Sequence, residues 1–296
     1  MMEQPGYLLE PSFLRQLDRL QITSRRMASG ARAGKRRSRH MGSSIEFADY
    51  RAYAPGDDLR QLDWNAYART GKLFVKRFMD ETDMHVSLYI DCSKSMDYGT
   101  PTKLSVAVRL AAALGYLSLH QFDYVSVFAI DGEVRSALRS LHGKGKVQSF
   151  FDFLSRLQPD GRGDLQQALT SGSAIHGKAG VSLVFSDFLF ERGVEEGLSY
   201  LQAAHQEVIL IHLLAAEERN PSYEGELRLI DSETGDYREI AMSPRLVDEY
   251  QVSMQAYQKQ LASYAFGRGM HYVTVHAEDS LETILFRVFQ QAGIIR

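Results

Sequence analysis

The chain contains a single cysteine, Cys92, in 296 residues. One thiol excludes an internal disulfide framework and any zinc site built on several cysteines, and it fits a reducing compartment. Long apolar runs are also missing: no window approaches the roughly 18 uninterrupted apolar residues of a membrane-spanning helix. The opening MMEQPGYLLEPSFL lacks the basic start and apolar core of a secretory signal. Proline is scarce, at seven residues, and no internal repeat is visible. With 44% hydrophobic and 24% charged residues, the composition is that of an ordinary globular protein with ample core material. The expected location is the cytoplasm.

What the chain does have is an uneven distribution of charge. Residues 1 to 83 carry 15 Lys/Arg against 11 Asp/Glu, whereas residues 84 to 296 carry 19 against 26. Eight basic residues and no acidic one fall between Arg19 and Ile45: Arg19, Arg25, Arg26, Arg32, Lys35, Arg36, Arg37 and Arg39. Such a stretch is either a solvated basic loop or a surface for an acidic partner. Nucleic acid is the runner-up ligand for this 19–39 segment, although no interleaved aromatics offer stacking surfaces.

From residue 84 onward, strand-length apolar runs alternate with stretches of helical period, the pattern of an α/β protein. The expected strands are 84–91, 123–130, 181–187, 207–214 and 270–276. Helices are expected over 102–120, 147–157, 165–175, 194–204, 244–266 and 281–291, with Thr102, Asp164 and Ser280 as N-caps. Two antiparallel pairs should form, one through the Asp131-Gly132 turn and one bracketing Ser232 to Gly235. The fold class is therefore a mostly parallel central sheet with helices on both faces, Rossmann-like in layout. Residues 1–83 form an N-terminal extension, with a helix over about 12–27, and 84–296 form the α/β domain. In the dense block 46–81, Arg51, Arg60 and Arg69 are expected to hold Asp57, Asp58 and Asp63, with Trp64 and Tyr67 sealing a small core. The alternative is that this block presents its arginines and aromatics to a partner.

Loops leaving the carboxyl ends of parallel strands form the crevice where ligands bind. The stretch YIDCSKSMDYG places Asp91, Ser93 and Ser95 there, and FSDF places Asp187. Two carboxylates and two hydroxyls are hard donors that suit Mg²⁺, with Mn²⁺ or Ca²⁺ as alternatives. The bland alternative is a polar strand-to-helix loop whose hydroxyls satisfy backbone groups.

Catalytic companions are absent. There is no G-x-S-x-G elbow to use Ser95 or His276, no G-x-x-x-x-G-K-[ST] loop and no H-E-x-x-H. An aspartyl-phosphate mechanism at Asp91 would want a second Asp two residues on, where Ser93 stands, so a Mg-dependent phosphatase is kept as the enzyme alternative. His212, alone in a strand, reads as an interior residue with satisfied hydrogen bonds.

Asp91-x-Ser93-x-Ser95 with Asp187 resembles the metal-ion-dependent adhesion site of von Willebrand factor A domains. The block GSSIEFADYRAYAPGDDLRQLDWNAYARTGKLFVKRF at 42–78 resembles the signature of bacterial DUF58 proteins, in which it precedes an A-type domain. LRLIDSETGDYREI is similar to the same family. The resemblance implies a non-enzymatic interaction module that binds an acidic group of a partner through a Mg-type metal held by Asp91, Ser93, Ser95 and Asp187. It also implies action beside a MoxR-type AAA+ ATPase, in complex assembly or chaperone-like activation. Where the family pattern has a coordinating Thr, this chain has Gly163, which supplies no side-chain oxygen. Asp164 either takes that place at the metal or caps the next helix.

Overall fold

The computed structural model describes residues 8–23, 46–54, 62–79, 83–172, 174, 178–190, 192–221, 225–232 and 235–296. The chain divides into two compact units: residues 34–83, and residues 1–33 together with 84–296. The N-terminal extension expected over 1–83 is thus split. Leu9, Phe13, Leu17, Leu20 and Ile22 are buried in the core of the α/β unit.

In the smaller unit, β1 (Glu46–Ala52) pairs antiparallel with β2 (Phe74–Met79). Between them the helix Trp64–Thr70 is started by Asp63, whose carboxylate accepts the N–H groups of Asn65 and Ala66 at 2.9 and 3.0 Å. It is ended by Gly71 at φ 65°, a left-handed C-terminal position that glycine takes without steric cost. Asp63 is therefore a helix cap. Trp64 and Tyr67 meet edge to face at 6.3 Å but are 61% and 44% exposed, so they do not seal a core. Asp57, Asp58 and Arg60 lie outside the described residues.

The larger unit is built on one six-stranded sheet of order β10-β7-β6-β3-β4-β5. Its strands are β3 (His85–Asp91), β4 (Tyr124–Ile130), β5 (Val134–His142), β6 (Gly180–Ser186), β7 (Gln206–Leu214) and β10 (His271–His276). All neighbours are parallel except β5, which returns antiparallel beside β4. The four inner strands are almost wholly buried because helices cover both faces. On one face Val86, Leu88 and Ile90 pack with Lys103–His120, Val147–Leu154 and the C-terminal helical segment. On the other, Tyr89, Phe128 and Val184 pack with Leu165–Thr170, Val194–Ala203 and the end of Pro244–Gly267. The helix Lys103–His120 is buried nearly all round, as befits a helix enclosed by sheet and flanking elements rather than lying on a surface. A separate ribbon, β8 (Gly225–Ile230) with β9 (Tyr237–Met242), stands apart from the main sheet.

Thr102, Asp164 and Ser280 each cap a helix by accepting a backbone N–H. Three helices depart from expectation. The first ends at Leu17 instead of running to 27, because Gln21 and Thr23 pair their backbones with Arg296 and Ile294 at the chain's end. Leu165–Thr170 is shorter than expected. The last begins as a single α-turn, Leu281–Thr283, and continues as a π-helix, Ile284–Phe289. Among the described residues no helix is long and apolar enough to cross a membrane.

Gly180 opens β6 where a Cβ would lie 2.1 Å from the His85 carbonyl oxygen. Backbone cannot yield there without breaking the β3–β6 pairing, so Gly180→Ala should lower the unfolding free energy by about 1–3 kcal/mol. Urea denaturation checks this, and a midpoint equal to wild type would refute it.

Candidate functional site

The carboxyl ends of β3 and β6 lie side by side, and the residues that leave them meet. Asp91 is 1% exposed. Its Oδ1 accepts the Ser93 N–H at 2.9 Å and its Oδ2 accepts the Ser186 hydroxyl at 2.6 Å. Ser186 in turn accepts the Phe188 N–H at 2.9 Å, so one hydroxyl ties β3 to the loop after β6. The Ser93 and Ser95 hydroxyls lie 3.1 Å apart and share a hydrogen bond. Asp187, also 1% exposed, accepts the Leu189 N–H on Oδ1 at 3.1 Å. Asp91, Ser93, Ser95 and Asp187 thus converge as the sequence suggests.

Lys103, Glu218 and Ser186 complete the site, and sequence reasoning missed all three. Lys103 is wholly buried at the first position of the central helix. Its ammonium donates to Asp187 Oδ2 at 2.7 Å and to Glu218 on the short helix Ala216–Arg219. Glu218 also accepts the Ala215 N–H at 2.8 Å. A signal for Lys103 existed: a cation in the first turn faces the positive end of the helix dipole, which disfavours it by about 0.3–1 kcal/mol unless an anion compensates. Ser186 is marked only by standing before Asp187. The short acidic run holding Glu218 gives no signal of its own.

The charges sort by environment. Burial first, and then the neighbouring Asp187 carboxylate, push the Asp91 carboxyl up to about 7 against the Ser186 and Ser93 hydrogen bonds. Burial opposes ionisation of Asp187 as well, but the Lys103 ammonium overrides it and holds Asp187 below the usual carboxylate range. Burial likewise disfavours the Lys103 ammonium, yet Asp187 and Glu218 outweigh it and its pKa is raised. Glu218 is pushed up, burial exceeding the pull of the same ammonium. Nearby on β7, buried His212 is lowered to about 4 and is neutral. Its Nδ1 pairs with the Tyr272 hydroxyl at 2.7 Å, while its Nε2 makes no hydrogen bond of normal geometry. It is only half satisfied.

The donors do not fit the divalent ion that the motif suggests. The Lys103 ammonium already sits on Asp187 Oδ2 at 2.7 Å and would repel a second cation there. Asp164 uses Oδ1 to accept the Gln167 N–H at 2.8 Å, so it caps its helix. A threonine in place of Gly163 would require the Phe190 ring to move, since a Cβ there would lie 2.4 Å from it. Among the described residues no group of three or more His, Cys, Asp or Glu is arranged to hold a metal. The basic 19–39 segment lies outside the described residues beyond position 23.

The model of the DUF58 family, described as a protein of unknown function, matches residues 49–260, and the chain belongs to that family. An uncharacterized protein of Mycobacterium tuberculosis and one of Mycobacterium bovis are each 26% identical over 89% of this chain and 84% of theirs. Among solved structures, the conserved hypothetical protein BatB from Bacteroides thetaiotaomicron is similar with a TM-score of 0.42 at 17% identity, over 71% of this chain and 98% of that one. The pilus adhesin SpaC from Lactobacillus rhamnosus GG has the same TM-score at 10% identity, over 73% of this chain and 31% of its own.

Asp91 gives a pH signature. A group whose folded pKa of about 7 exceeds its unfolded value of about 4 stabilises fully below pH 4, and that contribution is lost as pH rises through 7. Asp91→Asn keeps the neutral form at every pH. It should gain on wild type by about 2 kcal/mol or more between about pH 5 and about pH 8. Paired denaturations at the two pH values test it; a constant difference would mean that Asp91 titrates normally.

Proposed function

We propose that the α/β unit is a von Willebrand factor A-like, non-enzymatic interaction module working in the cytoplasm, and that it binds a protein partner over the crevice above β3 and β6. One observation carries the reading: each member of the Lys103, Asp187 and Glu218 cluster bears an exposed apolar neighbour. The Tyr98 ring lies 5.9 Å from the Lys103 ammonium, Leu189 donates its N–H to Asp187, and the Tyr250 hydroxyl donates to the Glu218 carbonyl at 2.9 Å. Tyr98, Leu189 and Tyr250 are 41%, 44% and 37% exposed. A rigid charged floor under exposed aromatic and aliphatic side chains has the make-up of an interface centre, where tyrosines and well-packed apolar groups act as anchors.

The burial of Asp91, Ser93, Lys103 and Asp187, all at 0–1% exposure, speaks against chemistry on a substrate, because a nucleophile or general base has to reach the reacting atom. That argument counts against a phosphatase reading of Asp91 in spite of its raised pKa. The metal-bridged acidic contact is not carried into this reading. With Lys103, Asp187 and Glu218 ionised, the cluster is negative and does not attract a carboxylate.

A MoxR-type AAA+ ATPase is the partner that the family resemblance implies. Titration calorimetry with such an ATPase from the same organism should give binding that weakens at least ten-fold, by order of magnitude, in Leu189→Asp. Equal affinity for wild type and variant would reject the surface, and no binding by wild type with ATP present would reject the partner.

A further inference from the structure

The three carboxylates of the crevice come from three separate elements: Asp91 from the end of β3, Asp187 from the end of β6, and Glu218 from Ala216–Arg219. Two of them converge on one point, the Lys103 Nζ. Carboxylates that meet in this way are what a hard divalent cation takes from a protein, with one or two of them enough when waters fill the remaining positions. Here the meeting point is held by an ammonium whose side chain is 1% exposed. The lysine reaches it from a position that works against a cation, the first turn of the helix Lys103–His120. A charged group kept in a disfavoured and fully buried position is held there by its partners, and these would otherwise be one buried and one partly buried unpaired anion.

We infer that the Lys103 ammonium holds the position a divalent cation would take between these carboxylates, so the crevice is a metal-independent ion-pair centre that becomes a divalent-cation site once the lysine side chain is removed. The difference is more than a change of ion. A metal leaves open coordination positions that a partner's oxygen can fill, whereas an ammonium has three donors, two of which are already given to Asp187 and Glu218. The Nζ also lies 5.9 Å from the centroid of the Tyr98 ring, a cation–π distance. The centre is closed from within, and no incoming ligand is required to complete it. This inference does not depend on the interaction reading, since it concerns only what occupies the floor of the crevice.

Thermal melting of the full chain in EDTA, Mg²⁺ or Ca²⁺ tests it. Wild type should melt at the same temperature in all three. Lys103→Ala should melt about 10 °C lower in EDTA, because buried Asp187 and partly buried Glu218 lose their counterion. It should regain about half of that loss or more in millimolar Ca²⁺ or Mg²⁺ through preferential binding to the folded state. The gain should vanish in the double variant Lys103→Ala, Asp187→Asn. If Lys103→Ala does not fold in EDTA, refolding in the two buffers replaces the melt. Recovery with the cation alone supports the inference, and failure in both overturns it. A wild type stabilised by either cation, or a Lys103→Ala protein indifferent to both, also overturns it.

Discussion

Lys103 carries a full positive charge into a place where no water reaches it, and much of the crevice is arranged around that fact. Burying an ammonium costs several kcal/mol unless carboxylates at hydrogen-bonding distance repay it. Asp187 and Glu218 do so, from the loop after β6 and from the short helix after β7. Because the lysine opens the central helix, this contact couples the helix to two separate connections of the chain. The pair has a directional consequence too. Asp187 is held ionised, its charge weighs on Asp91, and Asp91 answers by taking a proton more readily. Two aspartates at adjacent strand ends are thereby driven in opposite directions by their surroundings, and their titrations are properties of the cluster as a whole.

The surface above this floor is of a different kind. Tyr98, Leu189 and Tyr250 are exposed, yet the Tyr98 ring faces the Lys103 ammonium, the Leu189 N–H is held by the Asp187 carboxylate and the Tyr250 hydroxyl by the Glu218 backbone carbonyl. Anchoring reduces the conformational freedom that such side chains would lose on binding, which is the main cost that preorganisation removes. The floor therefore matters to the rim even though it is closed to solvent, because it fixes where the loops after β3, β6 and β7 stand.

Much of the fold was legible in the residue pattern. The apolar runs at 84–91, 123–130, 181–187, 207–214 and 270–276 became strands within a residue or so of their expected ends, because strands covered on both faces must be continuously apolar. The caps at Thr102, Asp164 and Ser280 were legible for an equally local reason: a side-chain oxygen satisfies an N–H two or three residues on. The misreadings were of groups whose partners are distant in the chain. The first helix stops at Leu17 because the following residues pair with the last three of the chain. The serines and aspartates of the crevice are placed as expected, yet their role changes with Lys103 and Glu218, which lie 115 positions apart.

The sequence by itself determined the layer architecture, the order of most elements, the caps at Thr102, Asp164 and Ser280 and the convergence of Asp91, Ser93, Ser95 and Asp187 at the carboxyl end of the sheet. Each of these follows from periodicity, from near-neighbour hydrogen bonding or from the rule that parallel strands end on the same side. Only the tertiary structure decided what sits among those residues. A buried ammonium and a divalent cation ask for the same carboxylates, so the motif alone does not distinguish them. The distinction came from a lysine directed inward from the first turn of a helix and from a glutamate brought to it by the crossing of β7.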